Sequence, residues 1–162
     1  MPLPTPGQYI QFIAKSRLLD EEQLQEAARL AETSDDVKTL ARSLIQKKYL
    51  TLWQANQLLV GFTQFHLGKY RLIDLIGRGA SCNVFRALHL TMNREVALKV
   101  LSRKMQDDEE TLSQFYEEAR IMAALDHPNI VQVYNVEQID GRHVIVMELV
   151  DGVNLEHLVK KQ

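Results

Sequence analysis

The stretch that decides the fold is LIGRGASCNVFRALHLTMNREVALKVL, residues 75–101. Two glycines, Gly77 and Gly79, stand near its start, and two segments rich in apolar and β-branched residues follow them. Segments of that composition favour strands, and glycines between apolar runs mark a turn. The stretch therefore predicts a strand, a glycine-rich turn and two further strands.

The Gly77-x-Gly79 turn alone is a weak signal for phosphate binding, because several kinds of site share it. A dinucleotide site needs a helix directly after the glycines, whereas a strand is predicted here. A P-loop ends in Gly-Lys-Ser or Gly-Lys-Thr, and residues 80–82 are Ala-Ser-Cys. A hairpin that folds over a nucleotide needs a valine soon after the glycines and a lysine on the third strand. Val84 and Lys99 meet that requirement.

The third strand places two candidate site residues on one face of the sheet. Ala97 and Lys99 are two residues apart in the run Val-Ala-Leu-Lys, so their side chains point to the same side. A small residue beside a lysine suits an adenine ring with its phosphates beyond it. This face is therefore a candidate nucleotide site.

A predicted helix over residues 109–125 supplies a candidate partner for Lys99. Glu118 shares a helix face with apolar residues, and a carboxylate in such surroundings needs a cation. Lys99 is the natural partner. The alternative is that Glu118, like its neighbour Glu117, is a solvated helix charge, and spacing alone does not choose between the two.

The chain divides near residue 66. Before it, apolar residues recur at helical spacing, and Asp20 with Gln23 and Thr51 with Gln54 form capping boxes. We expect four short helices between residues 6 and 61 and interpret the segment as a packing or interaction module. Its aromatic residues Trp53, Phe62 and Phe65 are either a docking face or, more simply, core and contacts to the second part.

The second part is predicted to have the order β-β-β-α-β-β. An antiparallel sheet with one helix against it accommodates that order, which makes the fold class α+β. The predicted strands cover residues 70–76, 84–87, 94–101, 130–136 and 143–149, with a turn at Asp140-Gly141 between the last two.

Five motifs occur in order along the second part: Ile76-Gly77-Arg78-Gly79 with Val84, Val96-Ala97-Leu98-Lys99, Glu118-Ala119, His127-Pro128-Asn129-Ile130-Val131, and Val146-Met147-Glu148-Leu149-Val150-Asp151-Gly152. With these motifs, residues 68–162 resemble the N-terminal lobe of a bacterial eukaryotic-like serine/threonine protein kinase. The resemblance implies a five-stranded antiparallel sheet plus the helix called αC. Together with the small all-α domain expected before it, this gives domains at 1–66 and 67–162.

The resemblance implies ATP as the ligand and gives the residues their roles. Lys99 would hold the α- and β-phosphates and pair with Glu118, and Asp151 or Asn154 would lie near the ribose. Met147 would be the gatekeeper. The remaining expected contacts are the adenine neighbours Ile76, Val84 and Ala97, the loop glycines Gly77 and Gly79, and the hinge backbone of Glu148 and Val150.

The chain also departs from the family pattern. Cys82 stands at the third glycine position of the loop, so we expect a stiffer loop or one farther from phosphate. The motifs His-Arg-Asp, Asp-Phe-Gly and Ala-Pro-Glu, which supply the catalytic base and the Mg²⁺ ligands, do not occur. We assign no metal ligand, place Mg²⁺ only in the complete kinase, and expect this chain alone to be inactive with weak nucleotide affinity.

Two functions remain open: the ATP-binding lobe of a serine/threonine kinase, or a non-catalytic kinase-like binding or regulatory protein. The expected partners are a protein substrate that binds a missing C-terminal lobe and a regulatory partner of the helical segment. We also expect homo-oligomers through exposed lobe surfaces, including residues 155–159.

Composition narrows the function classes. The 162 residues are 46% hydrophobic and 25% charged, as in ordinary globular proteins, and the net charge of −2 gives no reason to expect nucleic acid. The single cysteine excludes an intrachain disulfide. No signal peptide or membrane-spanning run is recognisable, so we expect a cytoplasmic protein.

Overall fold

The computed structural model of the chain describes residues 2–153 and residue 159. These residues form five α-helices and one six-stranded antiparallel sheet. Within that part of the chain, no helix is long and apolar enough to cross a membrane. The α+β class expected from the sequence is confirmed.

Four helices, together called the leader (residues 6–62), come first. They are α1 (Pro6–Ser16), α2 (Glu21–Thr33), α3 (Val37–Gln46) and α4 (Leu52–Leu59). Both predicted capping boxes form, since Asp20 accepts from the Gln23 N–H and Thr51 accepts from the Gln54 N–H. The predicted number and positions of the leader helices are confirmed.

The leader has a hydrophobic core of its own. Tyr9 and Phe65 are fully buried in it, and the Tyr9 hydroxyl donates to the Ala55 carbonyl at 3.1 Å. Burial raises the pKa of Tyr9 above its usual range, so the hydroxyl stays protonated as a donor. The aromatic residues that could have formed a docking face therefore belong to, or pack against, this core.

The sheet contains one strand more than the five predicted. Its order is β1-β2-β3-β4-β6-β5, with every pair antiparallel. The strands are β1 (His66–Leu67), β2 (Tyr70–Arg78), β3 (Cys82–His89), β4 (Arg94–Leu101), β5 (Val133–Ile139) and β6 (Arg142–Met147). The prediction of five missed β1 because two residues are too short for any periodicity.

The last helix and the last hairpin follow the sequence signals. Helix α5 (Glu109–Ala123) comes after a short 3-10 helix (Arg103–Met105) and is capped by Asp108, which accepts from the Glu110 N–H. In the turn between β5 and β6, Asp140 and Gly141 both have positive φ, 50° and 74°. That pair of angles is typical of a tight hairpin turn whose twist matches the strands.

The two faces of the sheet pack against different parts of the chain. We call them the leader face, which includes Leu72, Val96 and Leu98, and the cleft face, which includes Ala97 and Met147. Trp53 of α4 packs on the leader face, with its ring 5.8 Å from that of Phe85. Helix α5 packs on the cleft face through Phe115 and Ala119.

Two hydrogen bonds tie the leader to β2. The Gln54 amide donates to the Leu72 carbonyl at 2.8 Å, and the Thr51 hydroxyl donates to the Ile73 carbonyl at 2.7 Å. Both carbonyls lie where the register between β2 and β3 shifts, between Leu72 and Asp74. A bulge leaves backbone groups without a ladder partner, and the leader supplies partners here.

Candidate functional site

Strand pairing brings the predicted site residues together on the cleft face. Gly77 pairs with Val84, and Val84 pairs with Lys99. In the next row, Ala97 pairs with Met147 across the β4–β6 boundary. Directly paired residues point to the same face, so these five line up in two adjacent rows.

The Lys99 ammonium lies against the Glu118 carboxylate. Its Nζ is 2.5 Å from Oε1 and 2.6 Å from Oε2. The Lys99 side chain is 21% exposed and that of Glu118 is 49% exposed. Glu117, by contrast, extends into solvent towards Arg120 at 3.4 Å. Of the two possibilities left open for Glu118, the structure shows the pair with Lys99.

The glycine loop is tight, and its glycines are needed for space. A Cβ on Gly77 would lie 3.2 Å from the Val84 Cβ, closer than most real Cβ contacts. At Gly79 the N–H donates to the Cys82 carbonyl at 2.8 Å, and a Cβ would lie 3.2 Å from that oxygen. Neither glycine has a positive φ. A larger residue at either position would therefore require its neighbour to shift by a few tenths of an ångström.

The Cys82 side chain packs away from the loop tip. It is half-buried and contacts the cleft-face core. The Ser81 hydroxyl lies 3.7 Å from its sulfur. The thiol therefore serves here as a small apolar side chain, beside the loop rather than at the end of it.

The segment after β6 offers backbone groups next to a cleft that apolar and charged residues line together. The Glu148 N–H donates to the Gln132 carbonyl at 2.9 Å, so only its own carbonyl is left for a ligand. Ile76 and Val150 are exposed and line a cleft of about 600 Å³ together with Asp151. Asn154, the other candidate near a ribose, lies outside the described residues.

Two further residues line that cleft, and they were not singled out from the sequence. Arg86 and Glu95 form a salt bridge of 2.8 Å there. Strand alternation could have found them, because Arg86 lies two residues after Val84 and Glu95 two before Ala97. They give this cleft a charged pair beside its apolar residues.

The cleft face combines the Lys99 ammonium held by Glu118, a tight glycine loop, and an apolar cluster that includes Val84, Ala97 and Met147. Such a set fits a ligand with a flat apolar part and an anionic tail. Among residues 2–153 and 159, no three His, Cys, Asp or Glu side chains cluster as a metal site would require. The cation that the described residues present on this face is Lys99, held by Glu118.

Comparisons with known proteins point the same way. The model of the protein kinase domain matches residues 70–162. The serine/threonine-protein kinase PrkC of Bacillus subtilis is 38% identical over 92 residues, which are 57% of this chain and 14% of that protein. PknE of Mycobacterium bovis, also a serine/threonine-protein kinase, is 35% identical over 100 residues, 62% of this chain and 17% of that protein.

A solved structure shares the fold. A double-mutant form of the PknI kinase domain from Mycobacterium tuberculosis superposes with a TM-score of 0.51 at 30% identity. The match covers 60% of this chain and 38% of that one. The chain thus spans well under half of the relatives and structures that it matches.

Proposed function

This chain belongs to the protein kinase domain family, and from that premise we propose that it supplies the ATP-binding lobe of a serine/threonine protein kinase. The observation that carries the proposal is the contact between Lys99 and Glu118. The carboxylate holds the ammonium at one place on the cleft face, where it can bind phosphate oxygens without first losing side-chain freedom.

The other site residues have complementary tasks in this proposal. Val84, Ala97 and Met147 form the apolar wall that excludes water from an adenine ring, with Ile76 at the open edge. The backbone of Gly77 and Gly79 approaches the phosphates, and the backbone at Glu148 and Val150 bonds the edge of the base. Protein kinases use ATP with a divalent metal ion that neutralises phosphate charge. We assign that ion no ligand among the described residues.

The activity of the whole protein is part of the same proposal. It would transfer the terminal phosphoryl group of ATP to serine or threonine of a protein substrate in the cytoplasm. We keep the domain division at 1–66 and 67–162, since the leader core ends at Phe65 and the sheet core begins at Leu67. We also propose that a regulatory partner binds the leader.

We propose in addition that the chain forms homo-oligomers through exposed surfaces of the lobe. Exposed apolar residues support it: Ile121 and Leu125 at the end of α5, and Val150 and Val153 after β6. Residue 159 is also exposed, whereas residues 155–158 of the predicted surface lie outside the described residues.

A binding experiment with a matched pair of variants tests the proposed function. Glu118→Gln and Glu117→Gln remove neighbouring charges from one helix, but only Glu118 contacts Lys99. Titration of the chain with a fluorescent ATP analogue should show weak binding that falls about tenfold in Glu118→Gln and in Lys99→Met, as expected for a charge-assisted contact. Glu117→Gln should bind like the unchanged chain.

Equal nucleotide binding by Glu118→Gln and Glu117→Gln would contradict the proposal. Binding of a protein partner together with indifference to the Lys99→Met change would favour the non-catalytic alternative. In the full-length protein, Lys99→Met should abolish phosphorylation of serine and threonine while circular dichroism shows a folded chain.

A further inference from the structure

A second cleft, of about 590 Å³, lies between the leader and the sheet. Its apolar floor includes Phe85 and Val100 of the sheet, and its walls come from the end of α1, the segment 62–68 and the β5–β6 hairpin. None of the proposed nucleotide contacts lines it. The cleft therefore needs an explanation of its own.

The side chains around this cleft are strongly unbalanced in charge. Four cationic residues line it, namely Lys15, Arg17, Arg103 and Arg142, and Asp140 is the only carboxylate among the described residues that do so. The chain as a whole carries a net charge of −2. Four cations around one cleft are thus a local concentration that the average composition does not provide.

These cations lack acidic partners. Among residues 2–153 and 159, none of the four forms a salt bridge. The single carboxylate, Asp140, accepts a long hydrogen bond of 3.4 Å from the N–H of Gly68, which also lines the cleft. Burial and the nearby Arg103 lower the pKa of Arg142, and Asp140 offsets this lowering only in part.

The backbone holds the cleft in this shape. Gly68 has a φ of 52°, and a Cβ there would lie 2.7 Å from the Ile139 side chain. Only glycine permits so close an approach, which brings the β1–β2 turn against the hairpin that carries Arg142. The end of α1 carries partial negative charge, and Lys15 and Arg17 offset it. Arg103 and Arg142 do not offset the charge of that helix end.

We propose that this cleft binds a phosphate-type oxyanion, held chiefly by the guanidinium groups of Arg103 and Arg142. The planar guanidinium group is suited to paired hydrogen bonds with phosphate oxygens. A free phosphate anion and a phosphorylated side chain share this chemistry. The proposal does not depend on the nucleotide site, because none of the proposed nucleotide contacts lines this cleft.

Calorimetric titration of the chain with inorganic pyrophosphate, at constant ionic strength in chloride, tests the proposal. Saturable binding is expected, and the double variant Arg103→Gln/Arg142→Gln should weaken it about tenfold or more. The control Lys104→Gln/Lys38→Gln removes the same charge from positions outside the cleft and should bind pyrophosphate as the unchanged chain does. Lys99→Met removes the phosphate contact of the proposed nucleotide site, so saturable pyrophosphate binding that persists in that variant is assigned to the arginine cleft.

Absence of saturable binding would overturn the proposal, and so would binding that Lys99→Met removes while the arginine double variant keeps it. If the arginine double variant unfolds, Lys15→Gln/Arg17→Gln provides a second test and should weaken binding in the same direction. A phosphothreonine peptide and its unphosphorylated form then identify the source. Tighter binding of the phosphopeptide than of pyrophosphate indicates a phosphorylated side chain, and the reverse order indicates a free anion.

Discussion

The two faces of the sheet are built from alternating residues of the same strands, yet they have different surroundings. The leader face is covered by α4 through Trp53, with one cleft left beside it, and the cleft face carries Lys99 and is partly open. Leu98 is fully buried on the first, and its neighbour Lys99 reaches Glu118 on the second. One peptide bond therefore separates a residue that holds the lobe together from a residue that is proposed to bind ligand.

This difference shows what the leader contributes. A sheet with one apolar face needs something to cover it. Here α4 provides the cover, and it bonds the carbonyls of Leu72 and Ile73 as well. The glycine loop follows directly on β2, so the leader stabilises the strand from which the proposed site extends.

The largest expected effect lies at the centre of the leader face. Leu98→Ala should lower the free energy of unfolding by about 2–5 kcal/mol, because Leu98 is completely buried and its truncation leaves a cavity. Urea denaturation measures the change. Leu90→Ala, at an apolar residue that is 46% exposed, is the control and should cost less than about 1 kcal/mol. If the two variants lost similar amounts of unfolding free energy, the leader would not cover this face as described.

A smaller effect is expected where the leader bonds β2. Gln54→Glu keeps the acceptor for the Thr51 N–H and removes the donor to the Leu72 carbonyl, both of which Gln54 supplies now. A buried carbonyl left without a partner costs about 1–3 kcal/mol, so unfolding should occur at a lower urea concentration. Gln57→Glu, in the same helix, controls for the added charge. Equal stability of the two variants would mean that the bond to Leu72 is unimportant.

The smallest effect on stability should come from the cleft face. Lys99→Met removes the ion pair with Glu118, whose side chain is 49% exposed, and solvent screens such a pair. We expect a change of less than about 1 kcal/mol in the free energy of unfolding, measured under the same urea conditions. A loss as large as that of Leu98→Ala would mean that both faces serve stability, and the contrast between them would disappear.

Much of this architecture could be predicted from local sequence. Capping boxes and helical periodicity located the leader helices, and period-two alternation located five strands. Strand β1 was not predicted, because two residues are too few to show a pattern and its partner strand follows after a short turn. Whether Glu118 pairs with Lys99 or is a solvated helix charge also required the structure, since spacing alone left both possibilities open.

The cleft between the leader and the sheet could not be predicted at all. Its cations come from positions 15, 17, 103 and 142, and no local pattern connects residues so far apart. They meet only because α4 docks on the leader face and the Gly68 turn contacts the β5–β6 hairpin. Non-local packing of this kind is what single-sequence periodicity leaves undetermined.

The position of Trp53 has a practical consequence. It is the chain's only tryptophan, and its ring lies 5.6 Å from Phe65 and 5.8 Å from Phe85, at the seam where the helices meet the strands. Its intrinsic fluorescence is therefore a built-in optical probe of that seam. A red shift of its emission would report separation of the helices from the sheet, and no dye would have to be attached.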